Sequence, residues 1–331
     1  LADQIISRLS EPVSYQNHLC RFGGSIGIAM VDNETGSQRR NLLVDADIAL
    51  YRAKSNGRNR FEFFSGSLKA EIIRTKRVAD DILTGLEQKQ FVPFFQPQFD
   101  AATLKVVGVE ALARWDHPNE GMLAPDTFMK TADDLNVVPL IDRTILEQTL
   151  QASLRWKLAG LDVPKVSVNV SAGRLADASL FESLDGLSFT PGALSFELLE
   201  SIFLDDQDPM ITSNLKRLQQ MGIDIEIDDF GTGYASIVSL LHLRPARLKI
   251  DRQFIYPLLG SHEQQRLVSS IIDIGKSFNI EVVAEGVETM DHARILKDLG
   301  CDILQGYALG RPMPSDDLIA YVKAESWRTA A

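Results

Sequence analysis

The sequence predicts an α/β protein: a TIM-like (β/α)8 barrel with one antiparallel strand, preceded by part of a smaller α/β unit. Apolar stretches of strand length alternate with helical patterns over residues 91–331, as is typical of a barrel. One connection, residues 100–104, is shorter than the dozen or so residues that a parallel crossover needs. An acidic or amide side chain also lies near the end of most of these stretches.

The smaller unit is predicted over residues 1–65. Its helices are expected at residues 2–9 and 41–54, and its strands at residues 24–29 and 60–64. These few elements resemble the tail of a larger α/β domain rather than a complete one. Residues 66–90 have apolar and basic side chains at helical spacing, so we expect a connecting helix there.

The barrel is predicted over residues 91–331. Its eight strands are expected at residues 91–99, 105–111, 165–169, 193–198, 223–228, 246–250, 281–285 and 302–305. Helical patterns fill most of the gaps, for example residues 139–158, 209–221, 263–278 and 292–299. Because the connection between the first two strands is so short, we expect a hairpin there, with one strand antiparallel to the others.

Composition narrows the functional classes. The 331 residues are 45% hydrophobic and 24% charged, which is ordinary for one or two globular domains. The net charge of −11 disfavours DNA or RNA polymers as partners. No apolar run is long enough to span a bilayer and no signal peptide is visible, so we expect a cytoplasmic location. The chain opens on Leu1 rather than Met, which leaves room for an upstream sensory domain or membrane anchor.

Oxygen-bearing side chains recur at the ends of the predicted barrel strands. They are Glu110, Asn169, Glu197, Asp228, Asp229, Glu285 and, nearby, Glu288, while Lys249 and Gln305 end two more strands. The C-terminal ends of barrel strands face one shared mouth. Carboxylates and an amide without His or Cys are hard ligands that suit Mg²⁺ or Mn²⁺. The sequence therefore predicts a metal site at this mouth.

The adjacent pair Asp228 and Asp229 indicates two ions. One carboxylate can bridge both ions while its neighbour reaches only the second, which is the arrangement used for phosphodiester hydrolysis. A lysine among carboxylates stays protonated, so Lys249 is better suited to orient a water or stabilise phosphate charge than to act as a base. Arg114 follows closely after Glu110 and can contact a phosphate through two hydrogen bonds.

At these residues the chain resembles the EAL-domain family of cyclic di-GMP phosphodiesterases, over about residues 85–325. The resemblance rests on the motifs EALARW (110–115), NVS (169–171), FELLES (196–201), DDFGTG (228–233), LKID (248–251), AEGVE (284–288) and LQGY (304–307). They follow the family order. Leu199 stands where the family more often has Thr, beside the ligands and not one of them.

The resemblance implies a barrel with one antiparallel strand, and hydrolysis of cyclic di-GMP to linear pGpG with two Mg²⁺ or Mn²⁺ ions. The first ion would be bound by Glu110, Asn169, Glu197 and Asp228. The second would be bound by Asp228 and Asp229, with Glu285 completing the site directly or through water.

The resemblance also implies roles around the metals. Lys249 would orient the attacking water, Gln305 would position waters, and Glu200 would anchor the loop at residues 230–236. Arg114 would contact a substrate phosphate. Gln96 and Pro312 lie in segments that match the pocket lining of the family, and Asp251 of the LKID motif is a further substrate-binding candidate. Family members often pair through the barrel face near that loop, which implies a homodimer.

Residues 1–65 resemble the C-terminal half of a GGDEF, or diguanylate cyclase, domain. The similar stretches are SIGIA (25–29), ADIALYRAK (46–54) and GRNR (57–60). The half that carries the GGDEF signature is missing, and Ser25 rather than Asp follows Gly23 and Gly24. We therefore expect that this segment does not cyclise GTP.

Two functions of different classes stay open at this point. One is an active phosphodiesterase; the alternative is a non-hydrolysing receptor, since some relatives keep the fold but have lost catalytic residues. A receptor should lack at least one of five residues, all of which are present: Glu110, Asn169, Asp228, Asp229 and Lys249. The sequence therefore favours the enzyme, and a scaffold role through the attached domain is compatible with either.

Overall fold

The computed structural model describes residues 1–16, 18–30, 42–203, 209–232, 240–241 and 243–328. The chain divides into two compact units, Leu1–Asp81 and Ile82–Ala331. Across the described ranges, no helix combines the length and the apolar character needed to cross a bilayer.

The first unit contains a short parallel β-α-β arrangement. Its elements are α1 (Ala2–Leu9), β1 (Val13–Tyr15), β2 (His18–Cys20), β3 (Ile26–Ile28), α2 (Leu42–Ser55) and β4 (Phe61–Phe63), and α3 (Gly66–Glu87) follows. Strand β3 pairs with β4 in parallel, as the helix between them requires. A Cβ on Gly27 would lie 2.0 Å from the Ala46 carbonyl oxygen, so only glycine allows α2 to pack this closely. The sequence did not predict the β1–β2 hairpin.

The second unit is a closed barrel of eight strands with one extra strand. The strands are β5 (Phe91–Asp100), β6 (Val106–His117), β7 (Gly121–Leu123), β8 (Val166–Asn169), β9 (Leu194–Leu199), β10 (Asp224–Phe230), β11 (Arg247–Ile250), β12 (Glu281–Ala284) and β13 (Ile303–Leu304). Their order in the sheet is β5-β13-β12-β11-β10-β9-β8-β6-β7, and the pairing of β5 with β6 closes the ring. The predicted fold class is confirmed.

Strand β5 is the antiparallel member of the barrel. It runs antiparallel to both of its neighbours, β6 and β13, whereas the other neighbouring strands of the ring are parallel. The turn after β5 is closed locally: the backbone N–H and the hydroxyl of Thr103 both donate to Asp100 Oδ1 at 2.6 Å. The short connection thus forms the predicted hairpin. The sequence did not predict β7, which pairs with the far end of β6 outside the ring.

Helices surround the barrel and cover its outer face. They are α4 (Met129–Asp134), α5 (Val138–Leu158), α6 (Ala172–Leu175), α7 (Leu180–Asp185), α8 (Pro209–Gln220), α9 (Arg252–Ile255), α10 (His262–Phe278), α11 (Met290–Asp298) and α12 (Ser315–Lys323). On β11, Leu248 and Ile250 are fully buried and belong to the same apolar core as Val268 and Ile272 of α10. Successive side chains of a strand point to opposite faces, so Arg247 and Lys249 point into the barrel.

The barrel interior is polar, in contrast to its apolar outer core. We call the residues nearer the mouth the upper polar layer: Gln96, Glu110, Asn169, Glu197, Asp228, Lys249, Glu285 and Gln305. We call the residues beneath them the lower polar layer: Gln98, Ser167, Glu226 and Arg247. The two layers follow from strand alternation, because residues two apart on one strand point to the same side.

Candidate active site

The upper polar layer assembles most of the residues predicted as metal ligands. Asn169 ends β8, and Glu285 and Gln305 directly follow β12 and β13, as predicted. Four other members lie within strands that continue past them: Glu110, Glu197, Asp228 and Lys249. These four side chains therefore lie inside the barrel rather than on its rim. The predicted strands already continued one residue past Glu110, Glu197 and Lys249, but the strand of Asp228 was predicted to end at Asp228, two residues before β10 ends.

Lys249 lies at the centre of this layer and is fully buried. Its Nζ is 2.6 Å from Glu285 Oε1 and 2.9 Å from Glu197 Oε2. Glu110 Oε2 and Asp228 Oδ1 each lie 3.3 Å from the same nitrogen. Burial alone would lower the pKa of Lys249, but the surrounding carboxylates raise it well above its ordinary value. Lys249 is therefore a permanent cation, as the sequence predicted for a lysine in this setting.

The carboxylates carry more negative charge than Lys249 can balance. Burial raises the pKa of Glu285 to about 8. Burial, together with the charge of Asp228, raises the pKa of Asp229 to about 7. The pKa values of Glu197 and Asp228 are also raised, with burial as the largest cause in both cases. A raised pKa means that the ionised form of the carboxyl group is disfavoured, and a further positive charge nearby would stabilise that form.

Glu110 differs from Glu197, Asp228, Asp229 and Glu285 because its pKa is lowered and not raised. Burial opposes ionisation, but Lys249 and the hydrogen bonds outweigh it and lower the pKa of Glu110. Asn169 Nδ2 donates to Glu110 Oε1 at 3.1 Å and to Glu197 Oε2 at 3.3 Å. Gln305 Nε2 donates to Glu110 Oε2 at 2.5 Å. With its NH₂ group on these carboxylates, Asn169 directs its carbonyl oxygen away from them and can offer it as a ligand.

The arrangement fits a hard divalent cation. One carboxylate oxygen each from Asp228, Asp229 and Glu285 lie within 4.8 Å of one another. Glu197 Oε1 is buried without a hydrogen-bond partner among the residues that the structure describes. An orphaned buried carboxylate oxygen is costly unless a partner such as a cation completes it. All of these donors are oxygens, which is the chemistry that Mg²⁺ and Mn²⁺ prefer.

Glu200 holds the backbone that follows Asp229. Its buried Oε2 accepts hydrogen bonds from Gly231 N at 3.0 Å, Thr232 N at 3.1 Å and Thr232 Oγ1 at 3.3 Å. Asp229 and Gly231 both have positive φ, +56° and +100°. A left-handed backbone conformation is strained for Asp and persists only where neighbouring contacts hold it. Here the hydrogen bonds of Glu200 hold the backbone two residues after Asp229. Residues 233–236 of the predicted loop lie outside the described residues.

A cavity of about 440 Å³ opens directly above the upper polar layer. The predicted site residues that line it are Gln96, Glu110, Asn169, Asp228, Glu285, Glu288 and Gln305. Its wall also includes Asp142, Arg252 and Tyr307, which the sequence analysis had not singled out. Arg252 and Tyr307 were within reach of sequence reasoning, since each stands next to or inside a quoted motif. Asp142 lies within α5, away from any strand end, and had no such signal.

Three predicted substrate-binding residues are not among those that line this cavity. Arg114 Nη1 donates to the Ala113 carbonyl oxygen at 2.7 Å, and its guanidinium lies 5.6 Å from the centre of the Phe94 ring. Asp251 caps α9 by accepting from Gln253 N at 2.7 Å. Pro312 is partly exposed and precedes a residue that bridges to β5. Their contact with a substrate stays a prediction.

Asp142 is expected to make the stability of the protein depend on pH. Its carboxylate accepts from Ser171 N at 2.9 Å and Ser171 Oγ at 2.6 Å, yet burial raises its pKa to about 6. A raised folded-state pKa gives stability that is present at low pH and is lost as the pH rises from the unfolded value of 3.8 through about 6. The amide in the Asp142→Asn variant cannot titrate. The free energy of unfolding of this variant should therefore increase relative to that of the wild type as the pH rises across this range.

Urea unfolding of the metal-free protein at both ends of this pH range measures the difference. The exposed carboxylate of Asp126 supplies the control, and Asp126→Asn should follow the wild-type pH dependence. A constant difference between Asp142→Asn and the wild type at both pH values would contradict the prediction.

Glu200→Ala is expected to impair the site while the barrel stays folded. The change removes the acceptor of Gly231 N and leaves Thr232 N only its 3.3 Å hydrogen bond to the Asp229 carbonyl oxygen, so the backbone conformation of Asp229 is held less firmly. Losing such an outer contact of a ligand typically weakens metal affinity or activity by about 10- to 100-fold. Glu200→Gln keeps one carbonyl acceptor and should lose less. Equal Mn²⁺ affinity and turnover in Glu200→Ala and the wild type would show that Asp229 does not depend on this contact.

The fold and site define a barrel protein with an acidic, metal-competent centre at the mouth, and the chain belongs to the EAL-domain family. The model of the "EAL domain" family matches residues 79–312. The "Diguanylate cyclase, GGDEF domain" model matches residues 1–60, so the first unit contains part of that domain. Both resemblances seen in the sequence are confirmed.

Among the relatives is the bifunctional diguanylate cyclase/cyclic di-GMP phosphodiesterase MucR of Pseudomonas aeruginosa. It is 37% identical over 326 residues, which cover 97% of this chain and 47% of the relative. The cyclic di-GMP phosphodiesterase NbdA of the same organism is 31% identical over 98% of this chain and 42% of its own length. The chain therefore spans less than half the length of these two relatives.

A solved structure supports the same family assignment. The chain described as the PaMucR phosphodiesterase in complex with c-di-GMP superposes with a TM-score of 0.69 at 37% identity. The match covers 73% of this chain and 99% of that chain.

Proposed function

We propose that this chain is a metal-dependent phosphodiesterase that hydrolyses cyclic di-GMP to linear pGpG in bacterial second-messenger signalling. The observation that carries the proposal is the complete acidic set around Lys249 beneath an open cavity. The named activities of MucR and NbdA support it, because both proteins match this chain over nearly all of its length.

Two Mg²⁺ or Mn²⁺ ions would be held by the oxygens of the upper polar layer and Asp229. The proposed ligands are Glu110, Asn169, Glu197 and Asp228 for one ion, and Asp228, Asp229 and Glu285 for the other. When bound, such ions polarise a phosphate and make a coordinated water a stronger nucleophile. They would also stabilise the ionised forms of Asp229 and Glu285, whose pKa values are raised chiefly by burial.

The residues of the chain itself contribute position and charge. Lys249 brings a fixed positive charge to within 3.3 Å of four carboxylates, where it can orient a water and stabilise charge on the phosphate. Gln305 holds Glu110 ionised through its amide and lines the cavity floor, where it can position water. Glu200, which directly follows the neighbouring strand β9, holds the backbone after Asp229.

The cavity wall is suited to a nucleotide. Arg252 offers a guanidinium on the same wall as Tyr307, whose side chain is 55% exposed and can stack on a base. Gln96 is buried and also lines the cavity. Arg114, Asp251 and Pro312 are proposed to contact parts of the substrate that extend beyond the cavity.

The wider context of the chain is also a proposal. We infer a cytoplasmic protein that pairs as a homodimer through the barrel and follows an upstream sensory domain. The length of the relatives supports further domains, since this chain covers 47% of MucR.

Incubation with cyclic di-GMP and Mg²⁺, followed by chromatography, tests the proposal. The expected product is pGpG, formed in proportion to time and enzyme, and EDTA should stop its formation because the site needs its cations. Binding of cyclic di-GMP without formation of pGpG would show that the chain is a receptor and not an enzyme. Undiminished turnover in EDTA would contradict the role of metals.

A further inference from the structure

A continuous chain of hydrogen bonds joins the lower polar layer to a proposed metal ligand. Arg247 Nη1 donates to Gln98 Oε1 at 3.0 Å, and Gln98 Nε2 donates to Gln305 Oε1 at 2.9 Å. Gln305 Nε2 then donates to Glu110 Oε2 at 2.5 Å. The four residues are at most 4% exposed, so water does not compete for these bonds.

The groups at the two ends of this chain of hydrogen bonds allow only one donor-to-acceptor direction along it. A guanidinium only donates, so Gln98 must turn its carbonyl oxygen to Arg247 and its NH₂ to Gln305. Gln305 must then turn its own NH₂ toward Glu110, where a carboxylate only accepts. Gln96 agrees: its Nε2 donates to the Gly310 carbonyl at 2.9 Å, which leaves its Oε1 to accept from Gln305 at 3.1 Å.

Arg247 is itself held in place from other sides. Its Nε lies 2.9 Å from Glu281 Oε2, and its Nη1 lies 3.5 Å from Glu226 Oε1. Glu226 is fully buried and also accepts from Ser167 Oγ at 3.1 Å. A buried ion pair with these further hydrogen bonds has little freedom to move, so Arg247 is a rigid starting point for the chain.

We propose that Arg247 and Gln98 are positioning residues for the metal centre. They hold the amide of Gln305 in one orientation, and Gln305 in turn holds the carboxylate of Glu110 toward the ion. Neither Arg247 nor Gln98 lines the cavity, so they act through Gln305 and not on substrate. The inference rests on the proposed function, because it assigns Glu110 as a ligand. Residues behind a ligand commonly change metal affinity by about 10- to 100-fold when removed.

Binding of Mn²⁺ to the substrate-free protein, measured by the electron paramagnetic resonance signal of the free ion, tests the proposal. Gln98→Met keeps the bulk of the side chain but leaves the buried Gln305 Oε1 without a donor, so the Mn²⁺ affinity should fall by about 10- to 100-fold. Ser195→Ala is the matched control. Ser195 is equally buried in the interior, two residues before Glu197, and its hydroxyl has no partner among the described residues. Its affinity should stay at the wild-type value.

Gln98→Glu separates positioning from packing and from simple charge. The new carboxylate has the same shape and bonds more strongly to Arg247, which keeps it ionised at about pH 8. It cannot donate to Gln305, which must turn its NH₂ around and withdraw it from Glu110. An added negative charge by itself raises affinity for a cation, so a fall in Mn²⁺ affinity would have to come from the lost orientation. We expect a fall at least as large as in Gln98→Met.

The outcomes separate this inference from the proposed function. No Mn²⁺ binding by the wild type would overturn the metal centre itself. Wild-type affinity in folded Gln98→Met or Gln98→Glu would overturn the positioning role alone. Should both variants fail to fold, NMR of wild-type protein labelled with ¹⁵N-glutamine still decides. The side-chain amide hydrogens of Gln98 and Gln305 must exchange slowly with solvent. Fast exchange of either would contradict the chain of hydrogen bonds.

Discussion

Replacement of Lys249 by Met is expected to remove hydrolysis and to destabilise the barrel strongly. Lys249 is fully buried and lies within 3.3 Å of four carboxylates, so its loss removes the cation of the upper polar layer and leaves these negative charges without compensation. Breaking a buried ion pair in this way costs about 3–5 kcal/mol of unfolding free energy. The loss of a preorganised charge at the phosphate should reduce kcat by about 100-fold or more.

The destabilisation of Lys249→Met should depend on pH and on added cations. Without Lys249 the carboxylates ionise less readily, so their folded-state pKa values rise further. Stability from a raised pKa is lost as pH rises, so the deficit should be larger at about pH 8 than at about pH 5. Mg²⁺ should restore part of it by binding the folded state.

Lys165→Met is the matched control for Lys249→Met. Lys165 pairs with Asp224 at 2.5 Å near the other end of the barrel, where both side chains are partly exposed. Its loss should cost no more than about 1 kcal/mol and should leave hydrolysis intact. Chemical denaturation of the metal-free proteins gives the comparison. Similar stability losses in the two variants would show that the four contacts of Lys249 do not support the fold.

Replacement of Asp228 by Asn is expected to have the opposite effect on stability and the same effect on turnover. Asp228 is the proposed ligand shared by both ions, so its loss should reduce hydrolysis in Mg²⁺ by at least about 100- to 1,000-fold, a few kcal/mol of transition-state stabilisation. Burial raises the pKa of Asp228, so the charged form is disfavoured in the metal-free protein. A neutral amide of the same shape removes that cost, and the variant should unfold in EDTA no earlier than the wild type.

Asp224→Asn provides the control on the same strand. Asp224 begins β10 and pairs with Lys165, away from the cavity. Its amide variant should keep wild-type hydrolysis, as measured by pGpG formation. Wild-type turnover in Asp228→Asn under the same conditions would show that the site assignment is wrong.

The barrel was predictable because its signals are local. Strand periodicity, helical spacing and the short turn at residues 100–104 lie within a few residues of one another, and the structure has β5 antiparallel as expected. The additional strand β7 was missed, because a strand of three residues leaves too short a pattern. The continuation of β6 past Ala111 was missed too, although β6 still pairs with β5 in the ring as far as Trp115 and pairs with β7 from Trp115 to His117.

The sequence by itself determined the barrel class, the oxygen donors of the site and the presence of a lysine among them. These follow from the types of residue and from their positions relative to strands. Only the tertiary structure decided that Lys249 is enclosed by four carboxylates and that Arg247 reaches Glu110 through two amides. The links of that chain join residues 149, 207 and 195 positions apart. Closure of the barrel creates such contacts, and no spacing along the chain encodes them.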